Sequence, residues 1–212
     1  MRNGPGLNPI LDMPWAAWNE LRRRLFWPYI RLVFAVGGVR WGRDWRIFGA
    51  PRIQRFRGSS IELGDGLELR SWQSSNPVAP HQPVVFATRT RSAAIRVGRQ
   101  VGLTGTVLVA SGCIEIGDRV AVGANSVIVD SDFHPLDARA RRLDPQGGEV
   151  RPVCIEQDVF IGMHTLILKG VRIGAGSVIG AGSVVASSIP AGVVAAGSPA
   201  RVLRALHTGE GV

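Results

Sequence analysis

The sequence is poor in cysteine and has no long apolar segment. Its 212 residues include two cysteines, Cys113 and Cys154, which lie far apart in the chain. We expect packed free thiols, which fit a reducing cytoplasm, and no disulfide. The longest apolar run, Leu32 to Val39, is too short to span a bilayer, and no signal-type apolar segment follows Met1. These features predict a cytoplasmic protein, located either in the bulk cytoplasm or at the inner face of the membrane.

Histidine is also scarce, and this limits metal chemistry. The chain has four histidines, and the three in its interior, His81, His134 and His164, include no closely spaced pair. A zinc site on a β-scaffold, as in a carbonic anhydrase, needs three convergent nitrogen or sulfur ligands. We therefore expect no metal site.

Acidic residues are few at the start of the chain. Residues 1–60 carry eleven arginines against three acidic side chains, so +8 of the net charge of +9 lies there. No known nucleic-acid-binding motif accompanies this charge, so we expect no nucleic-acid partner. The rest of the chain is nearly balanced in charge.

Residues 1–45 form a basic, aromatic arm that we predict to be helical. Its apolar residues Trp18, Leu21, Leu25 and Leu32 share one helical face. Pro28 is expected to kink or end the first helix. Two interpretations remain open: the apolar face packs on the base of the following domain, or it makes peripheral contact with an anionic membrane.

A six-residue repeat dominates the second half of the chain, from Val153 to Pro190. Six β-branched aliphatic residues follow one another at this spacing: Ile155, Ile161, Ile167, Ile173, Ile179 and Val185. A period of six fits neither a helix nor a single strand, but it fits short strands joined by turns, with three hexads in each triangular coil. The fold class is therefore all-β, a parallel β-helix.

The repeat also extends upstream with less regularity. We predict inward positions at Val97, Leu103 and Val109, followed by a slip of one residue in the register before Ile116.

The repeat predicts the domain limits and one projecting loop. We assign residues 46–206 to the β-helix and residues 207–212 to a flexible tail. The 39 residues from Ile116 to Ile155 are six hexads plus three, so a loop at 130–151 must leave the wall. This loop contains His134, and loops on rigid scaffolds commonly carry chemistry.

Three stretches of the chain resemble a known family: DFHPLD, the repeat PVCIEQDVFIGMHTLILKGVRIGAGSVIGAGSVVASSIP, and AAGSPARVL. Together, over about residues 95–206, they are similar to the hexapeptide-repeat acyltransferases, particularly the sugar O-acetyltransferases that include the maltose and galactoside acetyltransferases and the capsule and exopolysaccharide acetylases. The resemblance implies a left-handed β-helix, a homotrimer with active sites between subunits, acetyl-CoA as the acyl donor and no metal.

The resemblance also implies roles for individual residues. His134 matches the catalytic base, and Glu149 is the nearest candidate for a glutamate beside it. The residues implied in CoA binding are Phe160, Gly162, Ala181, Ser187 and Arg201. The residues implied in acceptor binding are His81, Asn125 and Asp132. Phe160 stands where the family usually has tryptophan, Met163 where it has a small residue, and Ser187 where it has a phosphate-binding lysine.

The chemistry implied for His134 is general base catalysis. A sugar hydroxyl is a poor nucleophile, so a histidine can remove its proton as the oxygen attacks the thioester carbonyl. A carbonyl, or the carboxylate of Glu149, Asp132 or Asp137, could fix the tautomer through the second ring nitrogen. The expected acceptor is a sugar, a nucleotide sugar or a lipid-linked saccharide. The alternatives are a small non-sugar acceptor, as in serine or xenobiotic acetyltransferases, a longer acyl donor, or a non-catalytic β-helix scaffold.

Overall fold

The structure, a computed structural model, describes residues 13–206. The first twelve residues of the arm and the tail predicted at 207–212 lie outside this range. Two helices, α1 (Pro14–Leu25) and α2 (Trp27–Val36), precede the strands, and a third, α3 (Ala138–Leu143), lies within the long loop. The strands are β1 (Arg46–Phe48), β2 (Arg52–Gln54), β3 (Ser60–Leu63), β4 (Glu68–Arg70), β5 (Val85–Thr88), β6 (Ala94–Val97), β7 (Gly102–Thr104), β8 (Val107–Ala110), β9 (Cys113–Ile116), β10 (Ala121–Val122), β11 (Val127–Val129), β12 (Val153–Ile155), β13 (Phe160–Ile161), β14 (Leu166–Ile167), β15 (Arg172–Ile173), β16 (Val178–Ile179), β17 (Val184–Val185), β18 (Val193–Gly197) and β19 (Ala200–Ala205).

The strands form three sheets because each strand up to β14 pairs with the strand three places further along the chain, and β16 then pairs with β18. Sheet A has the order β1-β4-β7-β10-β13-β16-β18-β19, sheet B the order β17-β14-β11-β8-β5-β2, and sheet C the order β15-β12-β9-β6-β3. Every pairing is parallel except that of β18 with β19, which close sheet A as a hairpin. The chain thus winds as a triangular coil, and the predicted parallel β-helix is confirmed.

The core is a stack of aliphatic side chains inside this coil. The six repeat positions from Ile155 to Val185 are at most 1% exposed. Some residues two places before them are polar and equally buried, and their hydroxyl groups find partners in the turns. Thr165 Oγ1 donates to the Gly162 carbonyl at 2.8 Å, and Ser183 Oγ donates to the Gly180 carbonyl at 2.6 Å. A buried hydroxyl with such a partner costs little, so the period tolerates serine and threonine at these sites.

One predicted inward position is wrong. Leu108, not Val109, points into the core, where it is fully buried and pairs in register with Phe86 and Ile128. The preceding turn, through Gly105 at φ +51°, shortens the spacing from Leu103 to Leu108 to five positions, with four residues between them. The spacing is therefore one residue short before this strand and two residues long after it, because Ile116 follows Leu108 by eight positions.

The arm packs on the β-helix, but through a different face from the one singled out in the sequence. The chain breaks between the two helices at Phe26, and Pro28 lies in the first turn of α2. Ile30 and Phe34 are buried, whereas the apolar face that includes Trp18 is exposed. The interpretation that this face packs on the base is therefore wrong. No helix within residues 13–206 combines the length and apolar character needed to cross a bilayer.

Both cysteines are free, as expected, and each is half-buried. They lie on the outer surface of sheet C, where Cys154 is in register with Glu115 and Arg172. Burial raises the pKa of both thiols. At neutral pH the thiols are therefore protonated and weakly nucleophilic.

Replacing Ile167 with alanine tests whether the aliphatic stack carries the stability of the coil. Ile167 is fully buried, so Ile167→Ala should lower the free energy of unfolding by about 2–5 kcal/mol, measured by urea denaturation. Leu203→Ala, at a position 65% exposed, is the control and should change it by less than about 0.5 kcal/mol. Equal losses in the two variants would contradict the packing described here.

Candidate active site

The chain turns between sheets at corners, and the predicted site residues lie at two of them. The A/B corner joins sheet A to sheet B and comprises residues 123–126, 162–165 and 180–183. The B/C corner joins sheet B to sheet C and comprises residues 130–152, 168–171 and 186–189. Since sheet B lies between the two corners, residues at one corner of a chain are separated from those at the other by the width of that sheet.

His134 lies in the long loop of the B/C corner, with its side chain exposed to solvent. Its ring atom Nδ1 is 2.5 Å from the carbonyl oxygen of Pro145. A carbonyl oxygen can only accept a hydrogen bond, so in the neutral ring Nδ1 must carry the proton. Nε2 is then left with a free lone pair. The loop therefore presents the tautomer that a general base needs.

Two backbone features hold His134 in place. Phe133 has a φ of +63°, a left-handed conformation that is unfavourable for an aromatic residue. Gly148 lies against this turn, where an added Cβ would come within 2.7 Å of the backbone nitrogen of His134. The local fold thus depends on a glycine from the returning arm of the loop, which the sequence did not reveal.

The loop is tied to the coil by Lys169, the only lysine in the chain. Its Nζ is 3.0 Å from Asp132 Oδ2 and 3.2 Å from Glu149 Oε2, and its side chain is only 17% exposed. The hydrogen bond with Asp132 raises the pKa of Lys169. Arg151, followed by Lys169, lowers the pKa of Glu149. Lys169 and Glu149 are therefore both ionised at neutral pH.

The two acidic residues predicted near the site, Asp132 and Glu149, form ion pairs with Lys169 and not with His134. The structure brings Asp132 and Glu149 together on the lysine, and in the described part of the chain neither hydrogen-bonds to the ring of His134. The tautomer is fixed by a carbonyl instead, which was one of the options left open by the sequence. Lys169 itself was missed, although it was available as the sole lysine of a chain that otherwise uses arginine.

Asp130 anchors the start of the loop. It is fully buried, and its carboxylate oxygens accept hydrogen bonds from the backbone N–H groups of Ser111 and Gly112, both at 2.7 Å. Burial raises its pKa, and the backbone hydrogen bonds oppose the shift. The carboxylate joins the loop to the neighbouring coil.

The A/B corner holds two of the residues implied in CoA binding, Gly162 and Ala181, and Phe160 lies just before it in β13. Phe160 lies on the outer surface of sheet A, 50% exposed, in register with Ala121 and Val178. Gly162 is buried and packs so closely on the backbone of Ala181 that a Cβ would clash with it. The phenylalanine side chain is therefore half exposed to solvent next to this corner.

The residues implied in acceptor binding lie at two corners. At the A/B corner, Asn125 Oδ1 accepts a hydrogen bond from the backbone N–H of His81 at 3.1 Å. The rings of His81 and His164 stack at 5.8 Å between centroids. Asp132 lies instead at the B/C corner. Among the described residues, no group of three or more histidine, cysteine or acidic side chains is arranged to hold a metal.

The last two residues implied in CoA binding, Arg201 and Ser187, lie in different parts of the fold. Arg201 is exposed in the β18–β19 hairpin of sheet A, and its Nη1 donates to the neighbouring Ala200 carbonyl at 3.0 Å. Ser187 is exposed at the B/C corner. A single chain therefore does not bring His134 and Ser187 together with Phe160, Gly162, Ala181 and Asn125.

Comparison with known proteins gives matches to the repeat and to the fold. The family model described as bacterial transferase hexapeptide (six repeats) matches residues 155–187. A Schizosaccharomyces pombe protein named as an acetyltransferase is 44% identical over 94 residues, which are 44% of this chain and 44% of that protein. A Staphylococcus aureus 2,3,4,5-tetrahydropyridine-2,6-dicarboxylate N-acetyltransferase is 38% identical over 88 residues, which are 42% of this chain and 31% of that enzyme. The chain thus matches less than half the length of these curated relatives.

Among solved structures, a galactoside acetyltransferase in complex with coenzyme A aligns with a TM-score of 0.52. It is 20% identical and the alignment covers 96% of this chain and 86% of that chain. At this identity the similarity establishes the fold, which is the left-handed parallel β-helix. Together with the matched repeat, it shows that the chain is a hexapeptide-repeat β-helix similar to those of the hexapeptide-repeat acyltransferases.

Proposed function

We propose that this protein is an acetyl-CoA-dependent O-acetyltransferase that acts in the cytoplasm on a hydroxyl of a sugar or polysaccharide precursor. The observation that carries the proposal is the hydrogen bond from His134 Nδ1 to the Pro145 carbonyl, which leaves Nε2 as a proton acceptor on an exposed loop. Nε2 removes the proton of the acceptor hydroxyl as its oxygen attacks the thioester carbonyl. The same ring then returns the proton to the departing thiolate of CoA. No covalent enzyme intermediate is needed.

The A/B corner is the proposed CoA site. When bound, acetyl-CoA supplies the activated acyl group. The exposed ring of Phe160 offers an apolar wall, and the backbone of the turn at Ala181 is accessible to the pantetheine arm. Arg201 offers a charge for a phosphate group. Coenzyme A in the galactoside acetyltransferase structure supports this choice of donor.

A homotrimer would complete the site. Because His134 and Phe160 lie on opposite sides of sheet B in one chain, the loop of one subunit must meet the A/B corner of another. Sheet B has a suitable surface, because after Arg52 of β2 the rest of the same outward row is apolar: Val85, Val107, Val127, Leu166 and Val184. The matching row of sheet C carries charges, including Arg96 and Glu115. Apolar area of this kind favours association between copies.

The acceptor is the least constrained part of the proposal. The staphylococcal relative is named as an N-acetyltransferase of an amino-acid pathway, so an amine acceptor is the second candidate. A base is needed in both reactions, because a protonated amine must also lose a proton before it attacks. Assays with acetyl-CoA and matched hydroxyl and amino sugars would separate the two candidates.

Loss of the His134 ring should remove the chemistry and spare the fold. His134→Ala should lower kcat by about 10²–10⁴-fold, because positioned acid–base catalysis contributes that much. Its melting temperature should stay within about 1 °C of the parent, since an exposed loop residue supports little packing. The assay follows release of free CoA thiol from acetyl-CoA in the presence of a sugar panel.

Two further variants serve as controls for the His134 variant. Glu62→Ala, which removes an exposed side chain on the outer surface of sheet C, should keep kcat close to the parental value. Arg201→Ala should raise the KM for acetyl-CoA with a smaller effect on kcat, because it removes a phosphate contact. If His134→Ala kept more than about a tenth of the parental kcat, the role of the base would be refuted.

Lys169 should act as a positioning residue for the loop. Lys169→Met leaves Asp132 and Glu149 without their shared cation, so trypsin should cut faster at Arg139, Arg141 and Arg142, and kcat should fall about tenfold or more. Lys169→Arg keeps the charge and should restore much of the resistance to trypsin and much of the kcat. Unlike Lys169→Met, it leaves a cation between the two carboxylates. Unchanged proteolysis and kcat in Lys169→Met would exclude the positioning role.

The lowered pKa of Glu149 predicts a pH dependence of the loop. The Glu149 carboxylate stabilises the folded loop at pH values above the pKa of the unfolded chain, and this stabilisation is lost as the pH falls through the lower pKa of the folded chain.

A further inference from the structure

An exposed apolar strip runs along both helices of the arm. Six large side chains form it, each between 50% and 81% exposed: Trp18, Leu21, Leu25, Tyr29, Leu32 and Val36. We call these six residues the arm strip. Their spacing of three or four residues places them on one side of α1 and of α2, and the strip continues across the break at Phe26. An isolated exposed leucine needs no explanation, but a continuous strip of this size does.

The strip is exposed because the arm docks through other residues. On α1, Asn19 is buried and its Nδ2 donates to the Ser74 carbonyl at 2.6 Å, while Ser74 Oγ donates back to Asn19 Oδ1 at 3.0 Å. On α2, Phe34 is buried against Trp41 and Trp45, with ring centroids 5.5 and 5.2 Å away. The helices are thus held firmly in an orientation that turns their apolar side outward.

The charges beside the strip are positive. Arg24 and Arg31 are exposed, and Arg31 lies over the rings of Trp27 and Trp41 at 4.9 and 5.2 Å. Glu20, the one acidic residue within 13–43, is paired with Arg23 and Arg46 through charges that lower its pKa. The outward side of the arm therefore combines aromatic rings, aliphatic side chains and arginines without a free carboxylate in the described part of the chain.

We propose that the arm strip docks on an anionic phospholipid bilayer, with α1 and α2 lying in the plane of the headgroups. Leucine and valine side chains enter the acyl boundary, tryptophan and tyrosine rings lie at the headgroup level, and the arginines contact lipid phosphates. Charge complementarity favours this surface over a second copy of the chain, which would bring its own arginines against Arg24 and Arg31. The proposal is independent of the acetyl transfer proposed above.

The position of the arm suits this orientation. Sheet A begins with β1 beside the arm and ends with the β18–β19 hairpin, so the arm covers the base of the prism. Docking through the base leaves the loop and both corners exposed along the sides. A soluble or lipid-linked acceptor could therefore reach His134 while the protein is on the membrane.

Vesicle flotation of the full chain tests the proposal. The protein should float with vesicles of phosphatidylcholine and phosphatidylglycerol and bind vesicles of phosphatidylcholine alone at least about tenfold more weakly. Arg24→Gln with Arg31→Gln should weaken binding to the anionic vesicles about tenfold or more, because each arginine near the surface contributes about fivefold. Trp18→Ser with Leu25→Ser and Leu32→Ser keeps the charge and should also lose binding.

A matched control lies at the other end of the β-helix. Leu203→Ser with Arg204→Gln removes one exposed leucine and one arginine there, and should leave vesicle binding unchanged. Circular dichroism and melting temperature should show that all variants are folded. Absence of binding to anionic vesicles, or equal binding by the parent and both arm variants, would overturn the proposal. Loss of self-association in the arm variants without any vesicle binding would assign the strip to a second copy instead.

Discussion

The pairing of each strand with the strand one coil above it is the constraint on which the rest of the structure depends. This ladder satisfies the backbone hydrogen bonds of strands that, from β1 to β17, are only two to four residues long. It also places the inward aliphatic of each coil on top of the last one. Ile128, Ile167 and Val185, for example, stack through the pairings of β11, β14 and β17. No part of such a coil is stable alone, so insertions are tolerated only at the corners. The loop that carries His134 is such an insertion.

The same ladder decides how a site can be built. Corner residues of successive coils stack in columns, so Asn125, His164 and Ala181 lie along one corner while Lys169 and Ser187 lie along another. Sheet B separates the columns, and the apolar outer surface of that sheet suits contact with another subunit. Lys169 adds a charged tie between the coil wall and the loop, beside the hydrogen bonds of Asp130, and it holds Asp132 only two residues from His134. A trimer is proposed because one chain carries the loop and the A/B corner on opposite sides of sheet B.

The sequence predicted the features that depend on the repeat. The period of six predicted the parallel β-helix and the buried column from Ile155 to Val185, and the break in that period located the loop with His134. The register of β8 could not be read in this way, because Leu108 and Val109 are both aliphatic and only the short turn at Gly105 selects between them. Lys169 could not be assigned because its partners are 37 and 20 residues away in the chain. The orientation of α1 was missed for a similar reason, since the contact between Asn19 and Ser74 spans 55 residues.

The most direct test of the account is complementation between two inactive variants. His134→Ala removes the base from the loop, and Ala181→Glu places a negative charge at the exposed corner proposed for CoA. If each site joins the loop of one subunit to the corner of another, random co-assembly into trimers leaves about a quarter of the sites intact. Mixed trimers purified through a different tag on each variant keep one intact site in three, so they should show about a third of the parental kcat, while each variant alone stays inactive. Inactive mixed oligomers, or a fully active monomer of the parent, would contradict a site shared between subunits.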